Sequence, residues 1–337
     1  MTQTETPPVP DSQSVRQTES VRCVDCGSNL VTNRGPCKLT SAIDGLPEYE
    51  KQLISDRGAG QLYQCNSCGL GFRFPQVGEA ELQALYANMP TRRWKYGQQT
   101  NTAWQLASKW LSDVMLADSK KPKLLDVGAF DGIFLKSLGD TWERYAVEPS
   151  ANACESLEAM GVTVIDRFLN PPAQEYAEQF DVVTLFDVFE HLRQPGHSLS
   201  DAVQFLKPGG HLILSTGNCA HWTWKWLEGD HWYCHPLQHL TFATPHFFSN
   251  WAAVNNCQVR QMTPHSHHPG TFGKKLQRVL ETTVWGGLKS SWLRPVSSLC
   301  MRIPGLSYLR HRATGPYAPE LADHLFVVLE KGKAPVA

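Results

Sequence analysis

The chain has 337 residues, of which 42% are hydrophobic, a length and composition that allow one large domain and one small one. Its formal net charge of −1 argues against a strongly basic nucleic-acid-binding protein. No apolar run approaches the roughly 18–20 residues that cross a bilayer. The first twenty residues lack the apolar segment of an export signal, so a cytoplasmic location is expected.

Residues 1–20 are rich in Thr, Ser, Gln and Pro, which predicts a disordered tail. The next segment, 21–75, contains two Cys-x-x-Cys pairs, formed by Cys23, Cys26, Cys65 and Cys68. Four thiolates form the closed tetrahedral site of structural zinc, so we predict a small zinc-ribbon-like module bound to Zn²⁺. A redox role is disfavoured, because a redox pair belongs to a thioredoxin-like βαβ context.

Two helical patterns follow, and beyond them short apolar runs alternate with helical segments. The runs are KLLDV, RYAV, VTVID, DVVTLFDV, HLILST, CQVRQM and HLFVVLE. Such alternation is typical of a largely parallel sheet covered by helices on both faces. The fold class is therefore α/β, with a seven-stranded sheet predicted over 76–268 and 324–333.

A glycine turn connects the first of these strands to the helix after it. Asp126, Gly128 and Gly132 lie at this turn, where glycine lets the backbone approach a ligand closely. Glu148 ends the second strand, 22 residues after Asp126. A carboxylate at this place accepts hydrogen bonds from ribose hydroxyls, so the pattern predicts a nucleoside site.

Four motifs occur in a fixed order: DVGAFDG, VEPS, FDVVTLFDVFEHLRQP and LKPGGHLILST. Together they resemble the class I S-adenosylmethionine-dependent methyltransferases, over roughly 103–259. The resemblance implies a Rossmann-like sheet and S-adenosyl-L-methionine as methyl donor. One position departs from the family pattern: Phe130 replaces the middle glycine of the first motif and is expected to narrow the space beside the methionine portion.

The resemblance also assigns cofactor-binding roles. Glu148 would hold the ribose, with the first-strand turn beside the methionine and ribose. Residues after the third strand would lie near the adenine, and those ending the fourth strand would flank the amino-acid end. The implied set is Asp126, Gly128, Gly132, Glu148, Asp166, Arg167, Phe186 and Asp187.

A segment rich in His and Trp, 221–239, follows the fifth strand and would run over the substrate. His239 resembles a proposed base in sugar C-methyltransferases, although Gln238 replaces the Glu that precedes it there. A catalytic or substrate-binding role and a structural role are both open for His239. His191 is the second catalytic candidate, and a helix-start role is equally open for it and Glu190.

Three further histidines, His265, His267 and His268, lie close together in sequence. No Cys or carboxylate follows them at ligand spacing, so we expect a solvated loop.

Residues 269–323 form an insertion between the last two strands, too long for a simple hairpin connection. Eight Lys or Arg and one Glu lie between 273 and 312. Helical spacing is predicted to place these apolar side chains on one face: Leu276, Val279, Leu280, Val284, Trp285 and Leu288. A basic amphipathic helix of this kind suits peripheral contact with an anionic membrane, and a lid over the cleft is the alternative.

The sequence thus predicts methyl transfer to an oxygen or carbon of a small molecule, with a sugar, glycan precursor or related metabolite as acceptor and no nucleic-acid partner. One alternative is an inactive zinc-binding scaffold with the same fold, which the change at Phe130 favours. Another is an RNA methyltransferase. The acidic body of the chain and the lack of an Asn-Pro-Pro-Tyr motif after the fourth strand disfavour it.

Overall fold

The computed structural model of the protein describes residues 21–38, 58–87, 101–114 and 121–333. The predicted tail, 1–20, lies outside these residues, as do residues 39–57 of the loop between the two cysteine pairs. The strands are β1 Val31–Pro36, β2 Gln61–Cys65, β3 Gly71–Phe74, β4 Lys123–Val127, β5 Glu143–Val147, β6 Thr163–Asp166, β7 Phe180–Phe186, β8 Leu206–Gly217, β9 Thr241–Phe242, β10 Cys257–His265 and β11 His324–Lys331. The helices are α1 Glu79–Ala87, α2 Thr102–Val114, α3 Ile133–Ser137, α4 Ala151–Ala159, α5 Pro195–Phe205, α6 Trp222–Leu227, α7 Pro245–Val254, α8 Phe272–Gly287 and α9 Arg294–Cys300.

The seven predicted strands form one sheet in the order β10-β11-β8-β7-β4-β5-β6. Strands β6, β5, β4, β7 and β8 are parallel neighbours, whereas β11 runs antiparallel to both β8 and β10. The predicted Rossmann-like sheet is therefore confirmed. The strand order reverses between β4 and β7, and in open parallel sheets such a switch point opens a crevice at the carboxyl ends of the strands.

The central strands are apolar because both faces of the sheet are covered. Leu125 and Val183 face one buried cluster together with Phe247 of α7, and Leu124 and Val182 face a second cluster. All five side chains are 2% exposed or less. Continuous apolar runs, without alternation, are the expected pattern for parallel strands in this position.

The N-terminal module contributes a smaller antiparallel sheet, β1-β2-β3-β9. Its last strand comes from 241–242, inside the segment predicted to belong to the large domain. Cys23, Cys65 and Phe72 also pack in the cluster that contains Leu125 of β4. The boundary predicted at residue 75 therefore does not separate independent units, since the two parts share a sheet and a core.

The insertion packs on the segment after β8, but with a different face from the one expected. Trp285 of α8 is buried and donates from Nε1 to Asp230 Oδ2 at 2.6 Å. Glu281 is also fully buried and accepts a hydrogen bond from Arg278 Nη1 at 2.8 Å. Leu276 and Leu280, predicted to share one apolar face with Trp285, are instead 50% and 49% exposed. The prediction of a single apolar face was wrong.

No helix in the described part of the chain is both long and apolar enough to cross a bilayer.

Candidate active site

A cavity of about 1400 Å³ opens at the carboxyl ends of β4, β5 and β7, at the point where the strand order reverses. It is lined on one side by the turn after β4 and the residue that ends β5, and on the other by the histidine-rich segment after β8. This arrangement places six of the eight predicted donor-binding residues and the two catalytic candidates, His191 and His239, on the walls of one cleft.

The turn after β4 has the conformation that a glycine requires. Gly128 has φ 75° and donates its N–H to the carbonyl oxygen of Val147 at 2.8 Å. A Cβ on Gly128 would lie 2.6 Å from Val188 Cγ2, closer than two carbon atoms can approach. Glycine therefore keeps the cleft open at this point, since a side chain would meet the loop after β7.

Phe130, which replaces the usual middle glycine, adopts the left-handed backbone that glycine would supply, with φ 45°. Its N–H donates to Glu148 Oε2 at 2.8 Å. The turn therefore keeps the backbone path while adding an aromatic ring to the cleft wall. A non-glycine residue in this region is strained, and such strain is concentrated at functional sites.

Gly132, expected to contact the cofactor, faces away from the cleft. A Cβ there would lie 2.5 Å from Met160 Cε and 2.7 Å from Leu157 Cδ2. Its role in the structure is to let α3 begin close against α4, so the assignment of Gly132 as a direct ligand contact is corrected.

Glu148 is 4% exposed, with both carboxylate oxygens held by backbone donors. Oε2 accepts from Phe130 N, and Oε1 accepts from Ser150 N at 2.9 Å. Each oxygen keeps a lone pair for a further donor, which suits two ribose hydroxyls. Burial raises the pKa of Glu148, and the two backbone donors oppose that shift by favouring the ionised form.

Asp126 ends β4 beneath this turn. Its Oδ1 accepts a hydrogen bond from Thr184 Oγ1 on β7 at 2.6 Å, which ties the two strands at the switch point. Burial, together with the nearby charge of Glu148, raises the pKa of Asp126 to about 7. Asp126 therefore supports the floor of the cleft as well as lining it.

The residues assigned to the adenine side are only partly in the cleft. Asp166 lies outside the lining and binds its own loop: Oδ1 accepts from Arg167 N at 2.6 Å. Arg167 does line the cleft, and its Nη1 lies 2.9 Å from Cys154 Sγ. Arg167 therefore lies in the wall of the cleft, whereas Asp166 stabilises the loop that carries Arg167.

Phe186 and Asp187 reach the cleft at the end of β7, opposite the turn after β4. Asp187 has φ 55°, another left-handed non-glycine residue, and donates its N–H to Ser215 O at 3.1 Å. Burial, and the charge of Glu190 beside it, raise the pKa of Asp187 well above its usual range.

His239 lies in the cleft wall at 7% exposure. Its Nδ1 lies 2.8 Å from the carbonyl oxygen of Tyr233, so Nδ1 carries the proton and Nε2 carries the lone pair. Burial, with the neighbouring His191, holds the pKa of His239 well below its usual value, which keeps the ring neutral. His239 does not cap the helix that follows it, because the cap of α7 is Thr244, whose Oγ1 accepts from Phe247 N at 3.1 Å.

His191 is held by its own contacts. Its Nδ1 lies 2.8 Å from Tyr86 Oη and 3.1 Å from the carbonyl oxygen of Gln238. The ring lies edge to face with His239, with centroids 4.9 Å apart. His191 thus braces the segment that carries His239.

Glu190, next to His191 in the chain, is buried, and both of its carboxylate oxygens accept hydrogen bonds. Its Oε1 accepts from Tyr233 Oη at 2.6 Å and its Oε2 from Thr216 Oγ1 at 3.0 Å. This carboxylate fixes the Tyr233 ring, which stands between His239 and His324 with centroids 4.5 and 5.0 Å away. Tyr233 was not singled out from the sequence, because only the fold brings it to Glu190.

Arg73 was also missed. It lies on β3 in the cysteine module, is 1% exposed, and points into the segment that carries His239. Its Nε donates to His239 O at 3.1 Å, and its Nη2 donates to Cys234 O and to Pro236 O, the latter at 3.2 Å. A single buried guanidinium of the cysteine module thus binds three carbonyl groups of this loop.

The three histidines after β10 are not a solvated loop. His265 is 6% exposed, with Nε2 lying 3.0 Å from Ser215 Oγ. His267 and His268 both line the cleft, and the His267 ring stacks on His324 at 4.8 Å. The expectation of solvated side chains was wrong, because the last strand brings His324 alongside this segment.

The four cysteines predicted to bind zinc converge. The Sγ atoms of Cys23 and Cys68 are 3.7 Å apart, those of Cys26 and Cys65 are 3.6 Å apart, and all four lie within 4.8 Å of one another. Tetrahedral thiolates around Zn²⁺, with bonds of about 2.3 Å, stand roughly 3.8 Å apart. The donor set and its spacing therefore fit a four-thiolate zinc site.

Comparison with known proteins decides the family. Residues 94–262 match the family model described as a methyltransferase domain. The chain belongs to the methyltransferase family. With the fold and cleft above, it is an S-adenosylmethionine-dependent methyltransferase, as the sequence motifs predict.

Two groups of curated relatives are similar to this methyltransferase. A ubiquinone biosynthesis O-methyltransferase of Proteus mirabilis is 34% identical over 112 residues, which are 31% of this chain and 46% of the relative. A tRNA U34 carboxymethyltransferase of Desulfotalea psychrophila is 29% identical over 161 residues, 44% of this chain and 50% of the relative. The methyltransferase thus spans about half the length of the curated relatives it matches.

Solved structures were also compared. The complex between the Haloferax volcanii Trm112 methyltransferase activator and the putative methyltransferase aligns with a TM-score of 0.46 and 15% identity, over 75% of this chain and 98% of that one. A putative sarcosine dimethylglycine methyltransferase from Galdieria sulphuraria aligns with a TM-score of 0.41 and 14% identity, over 68% and 85%.

Proposed function

We propose that this methyltransferase transfers the methyl group to a hydroxyl oxygen of a small molecule, with His239 as the general base. The observation that carries the proposal is the His239 ring in the cleft wall, where Nδ1 is committed to Tyr233 O and Nε2 keeps its lone pair. A neutral imidazole in this tautomer accepts a proton from a hydroxyl. The curated O-methyltransferase relatives support oxygen as the acceptor atom.

The donor half of the cleft fits S-adenosyl-L-methionine on the geometry of the chain itself. Glu148 offers two partly satisfied oxygens, and Gly128 leaves space that a Cβ would fill. When bound, the donor supplies a methyl group on a positively charged sulfur that needs no further activation. The protein has to orient the acceptor in line with that methyl group and exclude water.

In this mechanism His239 Nε2 takes the proton of the acceptor O–H as the oxygen becomes methylated. The donor, when bound, would supply the methyl group and would leave with the bonding electron pair. The His191 ring, edge to face, and the Tyr233 ring, tilted by 55°, contact the imidazole of His239 and hold it. Arg73 holds its backbone. The inactive-scaffold alternative is disfavoured, since Phe130 preserves the backbone path and the hydrogen bond to Glu148.

We further propose that the acceptor carries an apolar portion and is reached at an anionic membrane surface. Phe272, Leu276 and Leu280 repeat every four residues along α8 and are 83%, 50% and 49% exposed. Trp292 and Leu299, from the α9 region, are 77% and 63% exposed. Five large apolar side chains in contact with water on one insertion mark an interaction surface.

Charge on the same insertion supports an anionic occupant. Lys274 and Arg278 are paired with Glu320, and Arg278 also with Glu281. Further basic side chains are exposed on the insertion: Lys275, Arg294, Arg302 and Arg310. Cations beside apolar side chains suit phospholipid headgroups over acyl chains.

The position of the insertion links this surface to the cleft. His268 precedes α8, Arg312 and Tyr317 follow α9, and all three line the cavity. The exposed apolar residues of α8 and α9 are not among the lining residues, so the lid role falls to the segment around 312–317. A lipid-anchored or isoprenoid-bearing acceptor would enter from that side.

We also propose that the four cysteines hold one structural Zn²⁺. The support is the spacing of their sulfurs and the position of the knuckles. Asp25, between the first two cysteines, accepts from Gly196 N at 2.6 Å, and Gly69, after the fourth, accepts from Thr244 Oγ1 at 2.9 Å. Zinc at this point would fix the module against α5 and α7.

The acceptor proposal is tested with methyl-labelled S-adenosyl-L-methionine and two acceptor pools, a lipid extract and bulk tRNA. We expect label in the lipid extract, and turnover lowered roughly 10²- to 10⁴-fold in His239→Gln with unchanged donor affinity. His246→Gln, an exposed histidine on α7 that does not line the cleft, is the matched control. Label confined to tRNA would support the RNA alternative, and an unchanged rate in His239→Gln would return that residue to a structural role.

A further inference from the structure

Three metal-ligating side chains converge in the cleft wall beyond the base: Asp187, His267 and His324. Their ligand atoms all lie within 4.8 Å of one another. Asp187 directly follows β7, His267 follows β10 and His324 begins β11. The antiparallel pairing sets His265 opposite His324, and the His267 ring stacks on His324 with centroids 4.8 Å apart. Asp187 Oδ1 and His267 Nδ1 are 4.0 Å apart, beyond the reach of a hydrogen bond.

Of these three residues, His324 has a buried polar atom whose lack of a partner needs an explanation. It is fully buried, and its Nε2 has no hydrogen-bond partner in the part of the chain that the structure describes. Its Nδ1 lies 2.9 Å from Asp323 Oδ1, so Nδ1–H donates to the carboxylate and Nε2 keeps the lone pair. Buried polar atoms are rarely left unsatisfied, and an absent ion is one recognised reason.

Asp323 has the properties of a residue that orients a metal ligand. Its Oδ2 accepts from Trp232 Nε1 at 3.1 Å, and its main-chain oxygen accepts from Asn218 N at 2.7 Å. The carboxylate is thereby fixed on its far side while it holds the His324 ring. A carboxylate hydrogen-bonded to the remote nitrogen of a histidine is the usual support of a metal-binding imidazole.

A second cluster, Glu190, His191 and His239, is a weaker candidate. Both oxygens of Glu190 accept short hydrogen bonds, and His191 Nδ1 is engaged by Tyr86 Oη. These groups are satisfied by the protein and by one another, so no ion is needed to account for them.

We propose that Asp187, His267 and His324 bind one divalent transition-metal ion of the Mn²⁺, Fe²⁺, Co²⁺ or Zn²⁺ class. Two imidazoles and one carboxylate favour these ions over Mg²⁺ and Ca²⁺, and three protein ligands leave coordination positions open. Bonds of roughly 2.0–2.2 Å place neighbouring ligand atoms roughly 3.0–3.6 Å apart. The observed spacing reaches this range with a small rotation of the Asp187 and His267 side chains, which are 18% and 14% exposed.

The ion deepens the proposed function, on which this step rests. Asp187 and His267 line the cleft, so the open positions face the acceptor. An acceptor hydroxyl at one of them would ionise more readily beside a divalent charge. Its proton passes to His239, which contacts the same Tyr233 ring as His324, from the other side of the site.

Titration of zinc-loaded protein with Mn²⁺ alone, followed by electron paramagnetic resonance and calorimetry, tests the site. Mn²⁺ prefers nitrogen and oxygen ligands, so the four cysteines do not compete for it. We expect one equivalent to bind, and His267→Gln and His324→Gln to weaken binding at least 10-fold. Asp323→Asn should weaken it roughly 10- to 100-fold, the effect of losing an outer-shell partner. His268→Gln, a cleft histidine outside the cluster, is the control.

The results separate this inference from the proposed function. Absence of saturable Mn²⁺ binding to folded wild-type protein, or equal weakening in His268→Gln, overturns the metal site. Should His324→Gln fail to fold, His267→Gln alone decides, because its side chain is partly exposed. Methyl transfer without bound metal would refute the role of the ion in the reaction and leave the methyltransferase assignment intact. Tight Mn²⁺ binding without methyl transfer to any hydroxyl would refute the proposed function.

Discussion

Arg73 donates from Nε to the main-chain oxygen of His239 at 3.1 Å, joining two residues 166 positions apart. This contact connects the cysteine module to the proposed base. Through the other guanidinium nitrogens, Arg73 also binds the carbonyl oxygens of Ala59, Cys234 and Pro236. The N-terminal module is therefore part of the architecture of the cleft.

Replacing Arg73 by Lys should lower kcat by about 10-fold or more while leaving donor affinity unchanged. Lysine carries a single ammonium group and cannot bind all the carbonyl oxygens that the Arg73 guanidinium binds, so His239 would shift. A small misplacement of a reacting group lowers the rate of reaction strongly. Steady-state kinetics and donor calorimetry measure the two effects. Arg260→Lys, a partly exposed arginine on β10, is the control. Wild-type kcat in Arg73→Lys would show that the contact does not position the base.

Glu148→Gln should weaken binding of S-adenosyl-L-methionine by about 1.5–3 kcal/mol, the scale of hydrogen bonds to a charged group. In Glu148→Gln an amide nitrogen replaces one carboxylate oxygen and faces the N–H of Phe130 or Ser150. Both groups are donors, so that hydrogen bond is lost. Isothermal calorimetry gives the affinity. Glu143→Gln, a half-exposed carboxylate on the same strand, should bind as the wild type does. Equal affinity in Glu148→Gln would move the ribose contact elsewhere.

Protein purified without chelator should contain one zinc per chain, and Cys26→Ser should lose most of it. Ligand binding of this kind contributes directly to folding of a small module. Zinc loss should also lower kcat, because β3 carries Arg73. Elemental analysis checks the content, with Cys300→Ser, a cysteine of the insertion, as control. Under about a tenth of an equivalent in the wild type would reject the site.

Wild-type protein should float with liposomes that contain anionic lipid, and salt should weaken the association. The double variant Phe272→Ser and Leu276→Ser should remain in the soluble fraction, because the α8 residues that would enter the acyl region are gone. Val254→Ser removes an apolar side chain that is 81% exposed outside the insertion, and it should float normally. If the wild type fails to float with anionic vesicles at low salt, the membrane proposal is abandoned.

His265→Gln should make the protein less sensitive to acid. Burial lowers the pKa of His265 to about 4 from its ordinary 6.5. Between these two pH values the unfolded chain binds more protons than the folded one, so stability falls as pH drops below 6.5. At pH 5 this histidine alone costs about 2 kcal/mol relative to pH 7.5.

Chemical denaturation at pH 7.5 and pH 5 measures the difference between wild type and His265→Gln. The variant starts less stable at pH 7.5, because the contact with Ser215 is altered, but loses less on acidification. His311→Gln, an exposed histidine, should follow the wild-type curve. Parallel acid losses in wild type and His265→Gln would show that His265 is not the group responsible.

The sheet and the cysteine site could be predicted because their signals are local. The run after Lys123 is apolar enough to be a covered parallel strand, and Gly128 can be recognised from its place after it. Cys-x-x-Cys spacing is fixed by the geometry of the metal itself. Gly132 was misassigned because the sequence motif does not show which way a glycine faces. A glycine that faces the ligand and one that faces another helix, as Gly132 faces Leu157, give the same pattern.

The rest depends on contacts between distant parts of the chain. Nothing near Arg73 in sequence indicates that its partners are carbonyls beyond residue 230. No other residue of the metal cluster lies near His267 in the sequence. The two residues that join it, Asp187 and His324, come from the ends of β7 and β11. The apolar residues predicted for one face of α8 are divided between buried Trp285 and exposed Leu276 and Leu280, a division that only tertiary packing reveals.

The central claim, transfer to a hydroxyl oxygen, is tested most directly by the chemistry of the product. Wild-type protein and His239→Gln are incubated with ¹³C-methyl-labelled S-adenosyl-L-methionine and either a lipid extract or the unfractionated cell extract, and the products are examined by NMR. We expect one enriched methyl resonance at the shift of an O-methyl ether in the wild-type reaction, strongly reduced with His239→Gln. Label at a carbon- or nitrogen-bound methyl, or only in RNA from the unfractionated extract, would contradict it.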